Sequence, residues 1–161
     1  MALITYIAED NAVILANLIE TLQEITEVKV VGSGATQAEA DRWLWLNDGN
    51  WHLAIIDLFL LESNGMDVLA GCRNRQPYQK MVLLTNYATP EVRRRAALLG
   101  ADAVFDKSSE LDELLAYCVE QTAEQKKFSV QEAERVATAK TPLAPLEHDA
   151  FKALPPQSGH A

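Results

Sequence analysis

The sequence has little cysteine, and the two cysteines that occur, Cys72 and Cys118, do not have the spacing of metal ligands. A disulfide framework and a structural zinc site are therefore excluded as the basis of the fold, and we expect two reduced, packed thiols. The three histidines, His52, His148 and His160, also lack ligand spacing.

The sequence also lacks a long apolar run. No stretch approaches the roughly 20 apolar residues that a membrane-spanning helix needs. The N-terminus has no basic region followed by an apolar segment and a small-residue cleavage site. We therefore expect a cytoplasmic protein with no membrane partner.

Positive charge is scarce, because 14 Lys and Arg residues stand against 23 Asp and Glu residues, for a formal net charge of -9. Phosphate backbones are bound by clustered Lys and Arg, so direct binding to nucleic acid is not expected. Residues 1–122 hold 18 acidic and 9 basic residues, whereas residues 123–161 hold five of each. The acidic excess thus belongs to the first part of the chain.

Short apolar runs alternate with amphipathic helical patterns five times along residues 1–122. The runs end near residues 8, 32, 57, 85 and 106. Strands so uniformly apolar are typical of a parallel sheet that helices cover on both faces. The pattern predicts a doubly wound α/β domain with a five-stranded parallel sheet.

Residues 123–161 form a tail of different composition. Four of the six prolines fall between Pro142 and Pro156, which predicts a Pro-containing disordered segment. Before it, the segment from Ser129 to Glu132 has the pattern of a capping box, which predicts a separate helix over 130–139.

Polar side chains stand at or just beyond the ends of four predicted strands. They are Glu9, Asp10, Asp57, Thr85 and Lys107. Since the carboxyl ends of parallel strands share one edge of the sheet, these side chains should converge. Three close carboxylates repel one another unless a cation joins them, and Mg²⁺ prefers such oxygen ligands and often bridges to phosphate. A carboxylate that is itself phosphorylated is a known covalent intermediate.

Over about residues 1–122 the chain resembles a response-regulator receiver domain. The matching features, in order, are Glu9-Asp10, Asp57 with Gly65 eight residues later, Thr85, and Gly100-Ala101-Asp102 leading to Lys107. The resemblance implies a flavodoxin-like fold with strand order 2-1-3-4-5. It implies a stand-alone regulator, similar to chemotaxis regulators, that takes a phosphoryl group from a histidine kinase or phosphotransfer protein.

The resemblance also assigns roles to residues. Asp57 would be the phosphoacceptor and a ligand of Mg²⁺. Asp10 would bind Mg²⁺ directly and Glu9 through water, while the main-chain carbonyl of Phe59 would complete the ligand set. Such a protein is not an enzyme acting on a separate substrate, because at most it phosphorylates and dephosphorylates itself.

Two further roles concern the response to phosphorylation. Lys107 would pair with the phosphoryl group, and Thr85 would move to hydrogen-bond it, reshaping the surface of the fourth helix, fifth strand and fifth helix. A run of like charge is usually a solvated face. Because Arg93, Arg94 and Arg95 lie on the fourth helix, a contact with an output partner is the alternative.

Four positions depart from the family pattern. Ser108 stands where proline usually follows the lysine, and Val104 stands where an aromatic residue usually turns inward, with Phe105 next to it. Asn86 replaces the usual small residue after the threonine, and Leu61 replaces a proline after Asp57. These departures lie along the usual route to the output surface.

Two other functions follow from these departures and from the acidic site. The chain could be a receiver-like scaffold that binds its partner independently of phosphorylation. An Mg²⁺-dependent phosphohydrolase is weaker, because its usual second acid would stand at position 59, where Phe59 is found. We expect a phosphorylated signalling module that acts through protein contact and has no DNA-binding output domain.

Overall fold

The structure is a computed structural model that describes residues 1–139. In this part of the chain, buried strands alternate with amphipathic helices. The chain divides into two units, Met1–Gln125 and Lys126–Ala161. The predicted disordered segment with its prolines lies outside the described residues.

The first unit contains a five-stranded sheet in which every neighbouring pair is parallel. Its order is β2-β1-β3-β6-β7, which is the predicted order 2-1-3-4-5 once a small two-stranded antiparallel pair, β4 and β5, is set aside. The predicted fold is therefore confirmed. The strands are β1 Leu3–Ala8, β2 Val28–Gly34, β3 Leu53–Ile56, β4 Phe59–Leu60, β5 Ser63–Asn64, β6 Lys80–Thr85 and β7 Ala103–Asp106.

Each of the first four helices begins after a polar N-cap whose side-chain oxygen accepts backbone N–H groups. The caps are Asn11, Thr36, Asn64 and Thr89, and such caps are worth about 1 kcal/mol each. The helices are α1 Ala12–Ile25, α2 Gln37–Leu46, α3 Gly65–Gly71, α4 Pro90–Leu98 and α5 Leu111–Ala139.

Successive residues of β3 supply the two faces of the sheet. Ala54 and Ile56 belong to a core that α2, α3 and α4 cover. Leu53 and Ile55 belong to a second core that α1 and α5 cover. Because both faces are buried, the strand must be apolar throughout, and the residue that follows it, Asp57, leaves the sheet at its carboxyl edge.

Strand β2 extends two residues beyond its expected end, to Gly34. The rings of Tyr6 and Trp43 stack with centroids 4.6 Å apart. A side chain at Gly32 would overlap the Trp43 indole, and one at Gly34 would overlap the Tyr6 hydroxyl. The glycines thus make room for the aromatic pair and do not form a loop.

The segment predicted as a separate helix over 130–139 is helical, but it is part of α5, which runs from Leu111 to Ala139. Ser129 lies inside this helix and does not begin one. No proline or glycine occurs between Leu111 and Ala139, so nothing in this stretch ends the helix before the capping-box pattern. Within residues 1–139, no helix is both long and apolar enough to cross a membrane.

Candidate functional site

The residues that directly follow β1, β3 and β7 each extend the backbone hydrogen bonding of the sheet by one residue. The N–H of Glu9 donates to the Gly34 carbonyl at 2.9 Å, that of Asp57 to the Ala8 carbonyl at 3.0 Å, and that of Lys107 to the Thr85 carbonyl at 3.0 Å. The register of the sheet therefore sets these side chains beside one another at its carboxyl edge.

Three carboxylates meet at this edge. Glu9, Asp10 and Asp57 can each offer one oxygen such that all three oxygens lie within 4.8 Å of one another. Glu9 and Asp57 are only 3% and 8% exposed, whereas Asp10 is exposed. The cluster is therefore open to solvent from the side of Asp10.

Lys107 is the basic side chain that pairs with this cluster. Its ammonium donates to Asp57 Oδ2 at 2.7 Å and to Glu9 Oε1. Burial lowers the pKa of Lys107, but the hydrogen bonds from the ammonium to Asp57 and Glu9 outweigh burial and raise it. Lys107 thus stays charged and holds one oxygen of Asp57 in a fixed position.

One ammonium does not balance three carboxylates. Desolvation, followed by the neighbouring Glu9 carboxyl, raises the pKa of Asp10 despite the nearby Lys107. Carboxylates this close also repel one another unless a cation joins them. The donor set of close carboxylate oxygens with an open side fits Mg²⁺, which takes one or two carboxylates and keeps several waters. Glu9, Asp10 and Asp57 could therefore hold such an ion.

Phe59 lies two residues beyond Asp57, at the start of β4. Its half-exposed ring meets the ring of Tyr87 edge to face, with centroids 5.0 Å apart and planes at 89°. Tyr87 follows Thr85 by two residues, so this aromatic contact joins the loops after β3 and β6. The metal-binding role of the Phe59 carbonyl stays a prediction.

Thr85 ends β6 and is fully buried. Its Oγ1 accepts a hydrogen bond from the Tyr87 N–H at 3.1 Å. The contact uses a lone pair of the Thr85 oxygen and ties this side chain to the loop that follows β6.

Gly65 begins α3 and packs directly on the backbone of Asp57. A side chain at this position would overlap the Asp57 carbonyl oxygen, and the Gly65 N–H donates to the Leu58 carbonyl at 2.7 Å. The spacing of eight residues between Asp57 and Gly65 thus has a steric reason.

Several contacts around the site were not predicted from the sequence. The Ser108 hydroxyl donates to Asn86 Oδ1 at 3.0 Å, so two of the departing positions bind each other. Arg93 is half-buried and ion-paired with Glu110, whereas Arg94 and Arg95 are exposed. The arginine run is therefore not a uniformly solvated face.

The comparisons with known proteins agree with this geometry. The model of the response regulator receiver domain family matches residues 5–119. Among curated proteins, the chain is 26% identical over 148 residues to the DNA-binding transcriptional regulator NtrC of Azospirillum brasilense, covering 91% of this chain and 27% of that protein. The chain thus spans about a quarter of the length of this relative.

Solved structures give the same fold. A CheY-like response regulator receiver domain protein from Methanospirillum hungatei JF-1 is 26% identical, with a TM-score of 0.63 over 79% of this chain and 98% of that one. A response regulator protein from Burkholderia pseudomallei, with a phosphorylated aspartic acid, a calcium ion and citrate, is 20% identical, with a TM-score of 0.63 over 89% of this chain and 85% of that one.

Proposed function

Because the chain belongs to the response regulator receiver domain family, we propose that it is a two-component signalling module whose Asp57 accepts a phosphoryl group in an Mg²⁺-dependent reaction. The donor is a histidine kinase or a histidine phosphotransfer protein. The phosphorylated chain signals by contacting another protein, and it acts in the cytoplasm.

The arrangement of Asp57 and Lys107 carries this proposal. Lys107 holds Asp57 Oδ2 at 2.7 Å, which leaves the second carboxylate oxygen to attack phosphorus. As that bond forms, the bond from phosphorus to the donor's imidazole nitrogen breaks, and the imidazole leaves with its electron pair. Catalysis of this kind of transfer is mostly positioning and charge stabilisation.

The other side chains of the site support the transferred group. Glu9, Asp10, Asp57 and the main-chain carbonyl of Phe59 would hold Mg²⁺, which when bound neutralises charge on the phosphoryl oxygens. After transfer, the Lys107 ammonium donates to a phosphoryl oxygen. The Thr85 hydroxyl moves toward the phosphoryl group and donates its proton to another oxygen.

The output partner of the proposed module is a protein. Arg94 and Arg95 are exposed on α4, and their positive charge suits an acidic partner segment. The net charge of -9 argues against direct binding of the chain to nucleic acid. A receiver of this kind is a phosphoacceptor with at most self-phosphorylation and self-dephosphorylation activity.

The proposal is tested with beryllofluoride, a phosphoryl mimic, in the presence of Mg²⁺. We expect saturable binding to the unaltered chain by calorimetry, and a mass increase after treatment with acetyl phosphate. Both should be lost in Asp57→Asn. Asp48→Asn, the same chemical change at an exposed position outside the site, should respond like the unaltered chain. Equal responses of the unaltered chain and Asp57→Asn would refute the assignment.

A second function is favoured by one observation. Val104 occupies the position of the usual aromatic residue, so the chain could bind its partner independently of phosphorylation. The affinity of the partner, measured with and without beryllofluoride, separates the two functions, because a ligand that binds two states equally shifts nothing.

A further inference from the structure

The side chain of Arg93 joins three segments near the candidate site. Its Nε donates to the Ala88 carbonyl at 3.1 Å, its Nη1 to the Val104 carbonyl at 3.0 Å, and its Nη2 to Glu110 Oε1 at 2.5 Å. Ala88 belongs to the loop 86–89 after β6, Val104 to β7, and Glu110 directly precedes α5. We call these three contacts the Arg93 latch.

Glu110 is fixed from a second direction. The oxygen that accepts from Arg93 also accepts the Asp106 N–H at 2.9 Å, and the Glu110 N–H donates to the Asp106 carbonyl at 2.9 Å. The hydrogen bond from Arg93, together with that from the Asp106 backbone, lowers the pKa of the Glu110 carboxyl. The pair is therefore charged at neutral pH.

The Arg93 latch holds the loop that directly follows Thr85. The Thr85 hydroxyl now accepts from Tyr87 N–H, and the residue after Tyr87 is Ala88, whose carbonyl Arg93 holds. In the proposed function, the Thr85 hydroxyl moves toward a group on Asp57. Because its oxygen accepts from the Tyr87 N–H, this movement either draws Tyr87 along or breaks the hydrogen bond, and both change the loop between two fixed points. The Ser108 to Asn86 hydrogen bond ties the same loop at its other end.

We propose that the Arg93 latch holds the loop 86–89 in its unphosphorylated conformation, and that occupancy of Asp57 opens it. Arg93 is then a positioning residue that couples the Asp57 site to α4, β7 and α5. This inference rests on the proposed function. It assigns the coupling to the polar contacts of Arg93, one of which is made to the backbone carbonyl of Val104.

The thermodynamic consequence concerns the affinity for the mimic. If the latched conformation binds beryllofluoride poorly, part of the binding free energy is spent on opening the latch. A chain without the latch spends less, so its dissociation constant falls. Coupling between two sites commonly changes an affinity fivefold or more. We therefore expect the dissociation constant to fall about fivefold.

The test compares charge-matched variants of the full chain. Arg93→Gln and Glu110→Gln should each bind beryllofluoride with Mg²⁺ about fivefold more tightly. Arg94→Gln removes the same charge from the same helix at an exposed position and should bind like the unaltered chain. The double variant should gain no more than either single variant, because both changes open one latch.

A second measurement separates coupling from simple stability. Without any mimic, amide hydrogen exchange in the loop 86–89 should be faster in Arg93→Gln than in Arg94→Gln. Arg93→Lys keeps the charge for Glu110 but cannot reach all three acceptors at once. It should fall between the unaltered chain and Arg93→Gln in both measurements.

The outcomes are distinct. If the unaltered chain binds the mimic and Arg93→Gln binds it equally or more weakly, the latch is refuted while the proposed function stands. If neither the unaltered chain nor Asp57→Asn binds, the proposed function fails, and the latch proposal falls with it. Thermal melting confirms that each variant is folded.

Discussion

The two ends of the parallel sheet both contain a salt bridge, but they balance charge in opposite ways. At the amino end, before β6 and β7, the guanidinium of Arg75 pairs with the Asp102 carboxylate at 2.7 Å, and Asp102 also accepts the Met81 N–H at 2.9 Å. Arg75 further donates to three carbonyls, those of Gln79, Cys72 and Gly100.

At the carboxyl end, Lys107 pairs with Asp57 and Glu9 while Asp10 adds a third carboxylate. One positive charge therefore faces three negative ones. The amino end satisfies its charges within the protein, which favours stability. The carboxyl end is left short of positive charge, and a site of this kind gives up stability for the ability to bind.

The largest expected effect comes from removing the salt bridge at the amino end of the sheet. Arg75→Met removes the cation that pairs with the exposed Asp102 and leaves three carbonyls without this donor, and the loss of these hydrogen bonds together costs about 2 kcal/mol. The free energy of unfolding, measured in urea, should fall by about that amount. Arg73→Met, an exposed neighbour, should change it by less than about 0.5 kcal/mol. Equal losses of unfolding free energy in Arg75→Met and Arg73→Met would contradict the proposed difference between the two ends.

A smaller effect distinguishes the ends by their response to a cation. At a Mg²⁺ concentration of ten times the dissociation constant, linkage raises the free energy of unfolding by about 1.4 kcal/mol. We expect this gain in the unaltered chain and in Arg73→Met, and not in Asp57→Asn. A gain that persists in Asp57→Asn would place the bound ion elsewhere.

The smallest expected effect has the opposite sign to the first, because it is a gain in stability from a change at the carboxyl end. Without Mg²⁺, Asp10→Asn removes one of three like charges, and the free energy of unfolding should rise by only about 0.5 kcal/mol, because Asp10 is exposed and solvent screens its charge. Asp112→Asn, an exposed change of the same kind, serves as its control. A loss of stability in Asp10→Asn would mean that the cluster is already balanced within the protein.

The sheet and the convergence of its strand ends could be predicted because both follow from one pattern. An apolar run buried on two faces must stop where a side chain such as Asp57 or Lys107 needs solvent or a partner. In a parallel sheet those stops share an edge. The order of the strands came from the family resemblance, and the structure agrees with it.

Short and context-dependent features could not be predicted in this way. The β4–β5 pair has only two residues in each strand, and Glu62 between them has a positive φ of 53°, which no sequence signal marks because the residue is not glycine. The capping-box pattern at Ser129 was equally compatible with the interior of a helix, which is where it lies.

The contacts of Arg93 were hidden for a different reason. Two of its three acceptors are backbone carbonyls, those of Ala88 and Val104. Every residue has such a carbonyl, so only the fold decides which of them an arginine can reach. The third, Glu110, lies 17 residues away. The run of three arginines therefore looked uniform in the sequence.

The close packing of Gly65 on the Asp57 carbonyl has a consequence for how the molecule can be observed. Because α3 begins against the backbone of Asp57 with no room between them, we expect α3 to keep its position when Asp57 is occupied. In the proposed response to phosphorylation, Thr85 and the loop 86–89 are the part of the site that moves. A fluorescent label on α3 would therefore stay silent when Asp57 is occupied, while a label on α4 would report the event.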